Sequence, residues 1–238
     1  KALERLKLVD SALFFEEESS GVLGRGFRCG FLGMLHLEIV VERLARDFNI
    51  KTIAATPSVK YEVFLKKEGK EVYPHTKGFG VGVYSPHRFP DEHEIVDIFE
   101  PWLKVEILMP PEKLAGVVKL LSDHEAEVGD TNKFSDARIK VEAKMPLREL
   151  MRGFFDRLKR VSSGFASLSY ELTEMREADV VRLDILVAEE SVAAFARIVS
   201  RRRMQTEAES MVEKLEKLLP RQMFELKIQA MASGRILA

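Results

Sequence analysis

Residues 26–48 read GFRCGFLGMLHLEIVVERLARDF, and within them a strand passes into a helix with almost no loop. Phe27, Cys29 and Phe31 alternate onto one face. The period then turns helical, with Leu37, Val41, Leu44 and Phe48 forming a stripe. The change falls at Gly33. Gly26, Gly30 and Gly33 do not make a phosphate loop, because no G-x-x-x-x-G-K-[ST] pattern is present and the spacing is not that of a dinucleotide fingerprint. They read as packing devices, with Gly33 as a joint that resists a bulky side chain.

Outward from this joint, the first 65 residues predict helix 1–9, strand 12–17, strand 25–32, helix 33–49 and strand 53–65. Glu42 with Arg46 and Arg43 with Asp47 are spaced to support the long helix by about 0.2–0.5 kcal/mol per pair. The pattern is a ferredoxin-like β-α-β-β-α-β unit without its first strand. Residues 66–101 are rich in glycine, proline and charge and read as a linker or surface loop. There Gly78, Gly80 and Gly82 alternate with Phe79, Val81 and Val83 as a short weak strand or a mobile loop.

From Trp102 the pattern sharpens. Leu103, Val105, Ile107 and Met109 alternate as a strand, Pro110 and Pro111 stop it, and Leu114, Val117, Val118 and Leu121 stripe the next helix. A hairpin follows over 128–145, then a helix over 147–161 carrying Leu147, Leu150, Met151, Phe154 and Leu158 on one face. Ala166, Leu168, Tyr170 and Leu172 alternate as a last strand. Residues 102–177 thus form a second, complete β-α-β-β-α-β unit. The remainder, 178–238, predicts strand 181–187, helix 191–201, helix 206–219 and strand 223–230. The fold class is therefore α+β: two ferredoxin-like sandwiches, the first truncated, then a β-α-α-β segment, each antiparallel sheet covered on one face by two helices. The chain opens inside a helix without an initiator Met and closes in an apolar run, Ile236 and Leu237. A fragment of something longer is expected.

Of 238 residues, 46% are hydrophobic and 32% charged, ordinary proportions for a globular protein. Lysine plus arginine (37) nearly balances aspartate plus glutamate (38), so any RNA-facing surface must be local. A single cysteine forms no internal disulfide, and Cys29 between phenylalanines reads as a buried, inert thiol. These features imply a cytoplasmic chain. No apolar run approaches the roughly 20 residues that span a bilayer.

His75, His87 and His93 lie in one segment beside Asp91 and Glu92, but their spacing fits no common zinc pattern and they read as solvated. His36 and Glu38 are two residues apart on a helix, on different faces, so His36 reads as structural or interfacial. No catalytic, cofactor or metal residue is assigned. Basic clusters are the better signal. Lys144, Arg148, Arg152, Arg157, Lys159 and Arg160 outnumber Glu149 and Asp156 around one helix, with Ser162, Ser163 and Gly164 as an exposed turn. Arg201, Arg202 and Arg203 form a run between two helices. A solvated helix face and a charged turn are the plain alternatives; phosphate contacts depend on such local charge.

The run G-F-R-C-G-F-L-G-x-L-H-x-E-I resembles the third domain of the LepA (elongation factor 4) family of translational GTPases. The resemblance continues through Thr56 to Val59, Tyr61 to Val63, Phe154 to Lys159, Gly164 to Ser167, Leu183 to Leu186, Val212 to Leu215, then Pro220, Arg221, Gln222 and Phe224. It implies domain III at 1–65, with its first strand upstream, domain V at 102–177, and the start of the family's own C-terminal domain at 178–238. It also implies a ribosome-dependent parent that hydrolyses GTP and acts on tRNA position, described as back-translocation. GTP and Mg²⁺ then belong to a G domain outside this chain. The implied partners are ribosomal RNA, ribosomal proteins and tRNA, with peripheral association at the inner face of the cell membrane. Under the resemblance, Arg157, Lys159, Arg160, Ser162, Ser163, Arg201, Arg202 and Arg203 are candidate RNA contacts. Two departures remove positive charge: Ser163 stands where the family usually has arginine, and Glu209–Ser210 where it has an R-G pair.

Rival readings are another ribosomal GTPase such as BipA, elongation factor G or a ribosome protection protein, an acylphosphatase-like enzyme, and a free-standing RNA-binding module. The segment from Ala178 argues against the first. Prolines and Glu112 after Met109 leave the second without an anion cradle. Ile139, Val141 and Ala143 give the third no stacking aromatics on that face.

Overall fold

The computed structural model describes residues 1–20, 24–55, 59–66, 80–135, 137–220 and 226–238. His75, Gly78, Phe79 and residues 223–225 of the last expected strand lie outside them. The chain divides into two units, Lys1–Ser58 and Val59–Ala238. In both, helices lie with antiparallel sheets, an α+β architecture.

The first unit contains α1 (Ala2–Val9), the hairpin β1 (Phe14–Ser20) with β2 (Gly24–Gly30), and α2 (Met34–Phe48). Leu6 and Leu13 pack with Val40 and Leu44, so the buried line of α2 centres one residue from the expected stripe, with Leu37 and Val41 at its margin. Phe15 meets Phe27 edge to face at 5.9 Å across the hairpin. His36 fixes the start of α2: its Nδ1 accepts the Leu32 N–H at 3.0 Å, which leaves Nε2 to donate to Asp10 Oδ2 at 2.8 Å. That contact holds the Asp10 carboxyl below its usual range. The structural role read for His36 is the one seen. Gly33 is different from expectation. Its φ of 160° is extended backbone, and a Cβ there would meet nothing within 4 Å.

The second unit begins with β3 (Tyr61–Leu65), expected to close the first unit's sheet. Instead it lies between β4 (Gly80–Val83) and β5 (Ile95–Met109). The 15-residue β5 also absorbs residues 95–101, expected as linker. Pro101 lacks an N–H for the ladder, and the strand passes through it by a shift of register against β8 between Pro101 and Leu103. Beyond come α3 (Leu114–Asp123), β6 (Glu127–Ser135), β7 (Arg138–Pro146), α4 (Leu147–Glu149), α5 (Phe155–Val161) and β8 (Ser167–Glu177). The strands run β8, β5, β7, β6 across the sheet. Leu103, Val105, Ile107 and Met109 of β5 meet Val117 and Leu121 of α3 and Phe154 and Leu158 of the α4–α5 region. Leu120, not Val118, completes the buried line of α3.

Two expected helices differ. The one over 147–161 breaks at Arg152 (ψ 28°) and Gly153 (φ 79°), a left-handed position that glycine adopts without strain. The helix over 191–201 is absent: β10 (Glu190–Ser191) and β11 (Arg197–Ser200) pair with β9 (Val180–Val187). Ile198 and Val199 are β-branched and suit the strand that buries Val199. One long helix, α6 (Met204–Leu218), then covers this sheet, which β12 (Ile228–Ala232) and β13 (Arg235–Ile236) complete. The expected β-α-α-β segment is therefore strand-rich, with a single covering helix rather than two.

Candidate nucleic-acid interface

The end of α5 and its turn carry the first group of candidates. Ser163 and Gly164 both take positive φ, 55° and 84°, and the Gly164 N–H reaches back to Lys159 O at 2.7 Å, closing the helix. Ser162 is fully buried, and its Oγ accepts the Ala166 N–H at 3.1 Å. It pins the turn and offers nothing to an outside partner, against the expectation of an exposed hydroxyl. Ser163 is exposed, and its Oγ accepts from Lys113 Nζ at 3.1 Å. Lys113 thus joins the turn from fifty residues away, a cation that spacing did not reveal. Lys159 donates to Ala166 O at 2.7 Å and lies 5.3 Å over the Phe155 ring, so much of its capacity is spent inside the turn. Arg157 points at His124 Nε2, 3.3 Å away. Arg160 is exposed, and its guanidinium has no partner among the described residues.

The arginine run is equally uneven. It forms a 3₁₀ turn between β11 and α6, not between two helices. Arg201 holds Asp179 at 2.8 Å and Glu92 at 2.7 Å. Arg203 donates to Asp123 O at 3.1 Å. Arg202 alone of the three is exposed without a partner among the described residues. The Asp179 and Glu92 carboxylates that hold Arg201 and the Asp123 carbonyl that accepts from Arg203 come from distant sequence, which is why the run reads as three free cations from spacing.

Arg148 and Arg152 leave the basic face altogether. Arg148, 9% exposed, lies among Glu100 at 2.8 Å, Glu149 at 2.6 Å and Glu125. Burial pushes the Glu100 carboxyl up to about 7, outweighing the pull of Arg148. Burial works on Glu149 too, but His124, Arg152 and Arg148 together hold its carboxyl below the usual range. His124 is fully buried, with Nδ1 3.1 Å from Glu149 Oε2 but poorly aligned, and its ring edge-on to Phe154 at 5.1 Å. This interior network went unseen in the sequence because its members come from β5, the end of α3 and α4.

Burial raises the Cys29 thiol, which disfavours a thiolate nucleophile. No group of three or more His, Cys, Asp or Glu side chains among the described residues is arranged to hold a metal ion. No helix among them is long and apolar enough to cross a membrane.

A family profile described as elongation factor G C-terminus matches residues 97–186, and one described as GTP-binding protein LepA C-terminus matches 187–238. An elongation factor 4 from Thermotoga maritima is 42% identical over 239 residues, covering 100% of this chain and 37% of that protein. An elongation factor 4 from Thermus thermophilus is 44% identical over 239 residues, covering 100% of this chain and 38% of that protein. The chain therefore spans little more than a third of the length of these relatives. A crystal structure of a Thermus thermophilus protein matches with a TM-score of 0.53 at 18% identity, covering 74% of this chain and 38% of that one, a likeness of fold. With both profiles in sequence order and similarity along the whole chain, the chain belongs to the LepA (elongation factor 4) family.

Proposed function

We propose that this chain is the ribosome-binding part of a translational GTPase, and that it meets ribosomal RNA and tRNA through the turn after α5 and the turn before α6. The observation that carries this is the pair of exposed guanidiniums without a partner among the described residues, Arg160 and Arg202, in a chain 42% and 44% identical throughout to two proteins named elongation factor 4. Phosphate oxygens are acceptors in want of such donors. Lys159, Ser163 and Arg157 border the first turn. Arg201 and Arg203 set the backbone from which Arg202 projects. GTP and Mg²⁺ are assigned to a G domain elsewhere in the intact protein, since phosphoryl transfer needs a cradle and a metal site and this sequence has no phosphate loop. The action is on tRNA position, in the sense of back-translocation, in the cytoplasm. The order β8, β5, β7, β6, with α3 and α5 packed on it, supports a ferredoxin-like reading of residues 102–177.

The test is GTP hydrolysis. The intact protein should hydrolyse GTP faster when ribosomes are added, and Arg160→Ala with Arg202→Ala should raise the ribosome concentration needed for half-stimulation. An intact protein whose hydrolysis ignores ribosomes contradicts the proposal.

A further inference from the structure

At Ala178 and Asp179 the chain leaves one sheet and enters another. Up to Glu177, β8 lies against β5, with Phe99 opposite Glu177, and from Val180 the chain runs in the C-terminal sheet. Between the diverging strands is a cleft of about 940 Å³. On one wall, residues 95–98 of β5 pair with β3, while on the other edge the pairing of β8 starts at Phe99 and the Ala178 N–H donates to Ile98 O at 2.8 Å, so that edge carries no strand beside residues 95–97 among the described residues. On the other wall, residues 180–182 of β9 pair with β11, while β12 reaches no further than Leu183. Two strand edges thus border one cleft, a template for added main-chain pairing.

Side chains decide what fits there. Asp91, Glu92, Asp97, Glu177, Asp179 and Asp184 line the cleft, against the guanidiniums of Arg182 and Arg201. Both guanidiniums are spent: Arg182 on Asp91 at 3.3 Å and Asp184 at 2.8 Å, Arg201 on Glu92 at 2.7 Å and Asp179 at 2.8 Å. Asp97 and Glu177 have no cationic partner among the described residues, and they stand on the two strands where β5 and β8 part. A phosphate backbone is repelled from such a lining, whereas a cationic chain is attracted. We propose that the cleft takes an extended lysine- or arginine-rich segment of a protein partner as an added strand, with its basic side chains meeting Asp97 and Glu177. This protein-facing surface adjoins the turn before α6 through Arg201, whose guanidinium is held by Glu92 and Asp179, while Arg202 is the exposed cation of that turn assigned to RNA.

The test uses the whole 238-residue chain and a fluorescein-labelled peptide of alternating lysine and valine, followed by fluorescence anisotropy. Saturable binding is expected, weakening with salt, reduced at least about tenfold by Asp97→Asn with Glu177→Gln, and lost when alternate peptide amides are N-methylated. A glutamate–valine peptide should not bind. The peptide arms on the unaltered protein decide the matter even if the double variant folds poorly. Absence of binding, equal binding of the N-methylated or acidic peptide, equal affinity in a folded double variant, or displacement of the peptide by an oligouridylate would each overturn the proposal.

Discussion

Arg152, at the break between α4 and α5, places Nη1 2.8 Å from Glu207 Oε1 on α6. A side chain from the stretch matched by the elongation factor G profile thereby holds one from the stretch matched by the LepA profile. The same guanidinium stands 2.8 Å from Glu149, whose side chain is 3% exposed. The helix break is therefore a structural joint: the turn at Gly153 lets Arg152 stand between a buried carboxylate and the next helix.

Removing Arg152 deprives both carboxylates of a cation. Arg152→Ala should cost about 2–4 kcal/mol, because a buried charge is left with less compensation. Glu207→Ala, at a more accessible site, should cost about 1 kcal/mol or less. A double-mutant cycle in urea should return a coupling of at least about 0.5 kcal/mol. Simple additivity would mean that the contact contributes nothing in solution.

The carboxyl of Glu100 gives stability a pH dependence. It holds its proton up to about 7 in the folded chain, against an ordinary value of 4.5. Between those values the folded state binds more protons than the unfolded one. Its contribution is full below the ordinary value and is lost as pH rises through about 7, a fall of up to roughly 3 kcal/mol. Glu149 works in the opposite sense: its lowered value favours folding above the ordinary carboxylate range and loses that effect as pH falls. Denaturation midpoints measured from about pH 5 to 7.5 should decline, and Glu100→Gln should flatten that decline. An identical slope in the variant would remove Glu100 as the cause.

Two glycines should separate cleanly. At Gly33 the backbone is extended and a new Cβ meets open space, so Gly33→Ala should change stability by less than about 1 kcal/mol. At Gly116 a Cβ would fall 2.7 Å from Val161 Cγ1, a β-branched side chain with little rotamer freedom in α5. Gly116→Ala should cost about 1–3 kcal/mol, and Val161→Ala should recover much of it. Thermal melts of the three variants check this; a destabilised Gly33→Ala, or an unrescued Gly116→Ala, would contradict the packing described.

Local pattern made much of the fold legible. Leu103, Val105, Ile107 and Met109 alternate on the strand where they are buried, and the long helix after Gly33 begins at Met34. The misses share a cause, which is that tertiary pairing overrode local signal. Pro101 reads as a boundary, yet β5 has partners on both sides and passes it by a shift of register. Residues 191–201 hold an alanine-rich stretch that suggests helix, but Val199 is needed opposite Val181. The basic clusters were legible as charge and not as free charge. Whether an arginine is available depends on carboxylates such as Asp179 and Glu100, whose nearness only the folded chain creates. Arg160 and Arg202 remain because no such carboxylate reaches them among the described residues.

The salt dependence of binding between this chain and purified ribosomes tests the central claim most directly. The logarithm of the association constant should fall linearly with the logarithm of salt concentration. Arg160→Ala with Arg202→Ala should weaken binding and flatten the line by up to about 0.7–0.9 per phosphate contact removed, with the melting temperature unchanged. Equal affinity and equal slope in the unaltered chain and the double variant would contradict the assignment of these two turns to RNA.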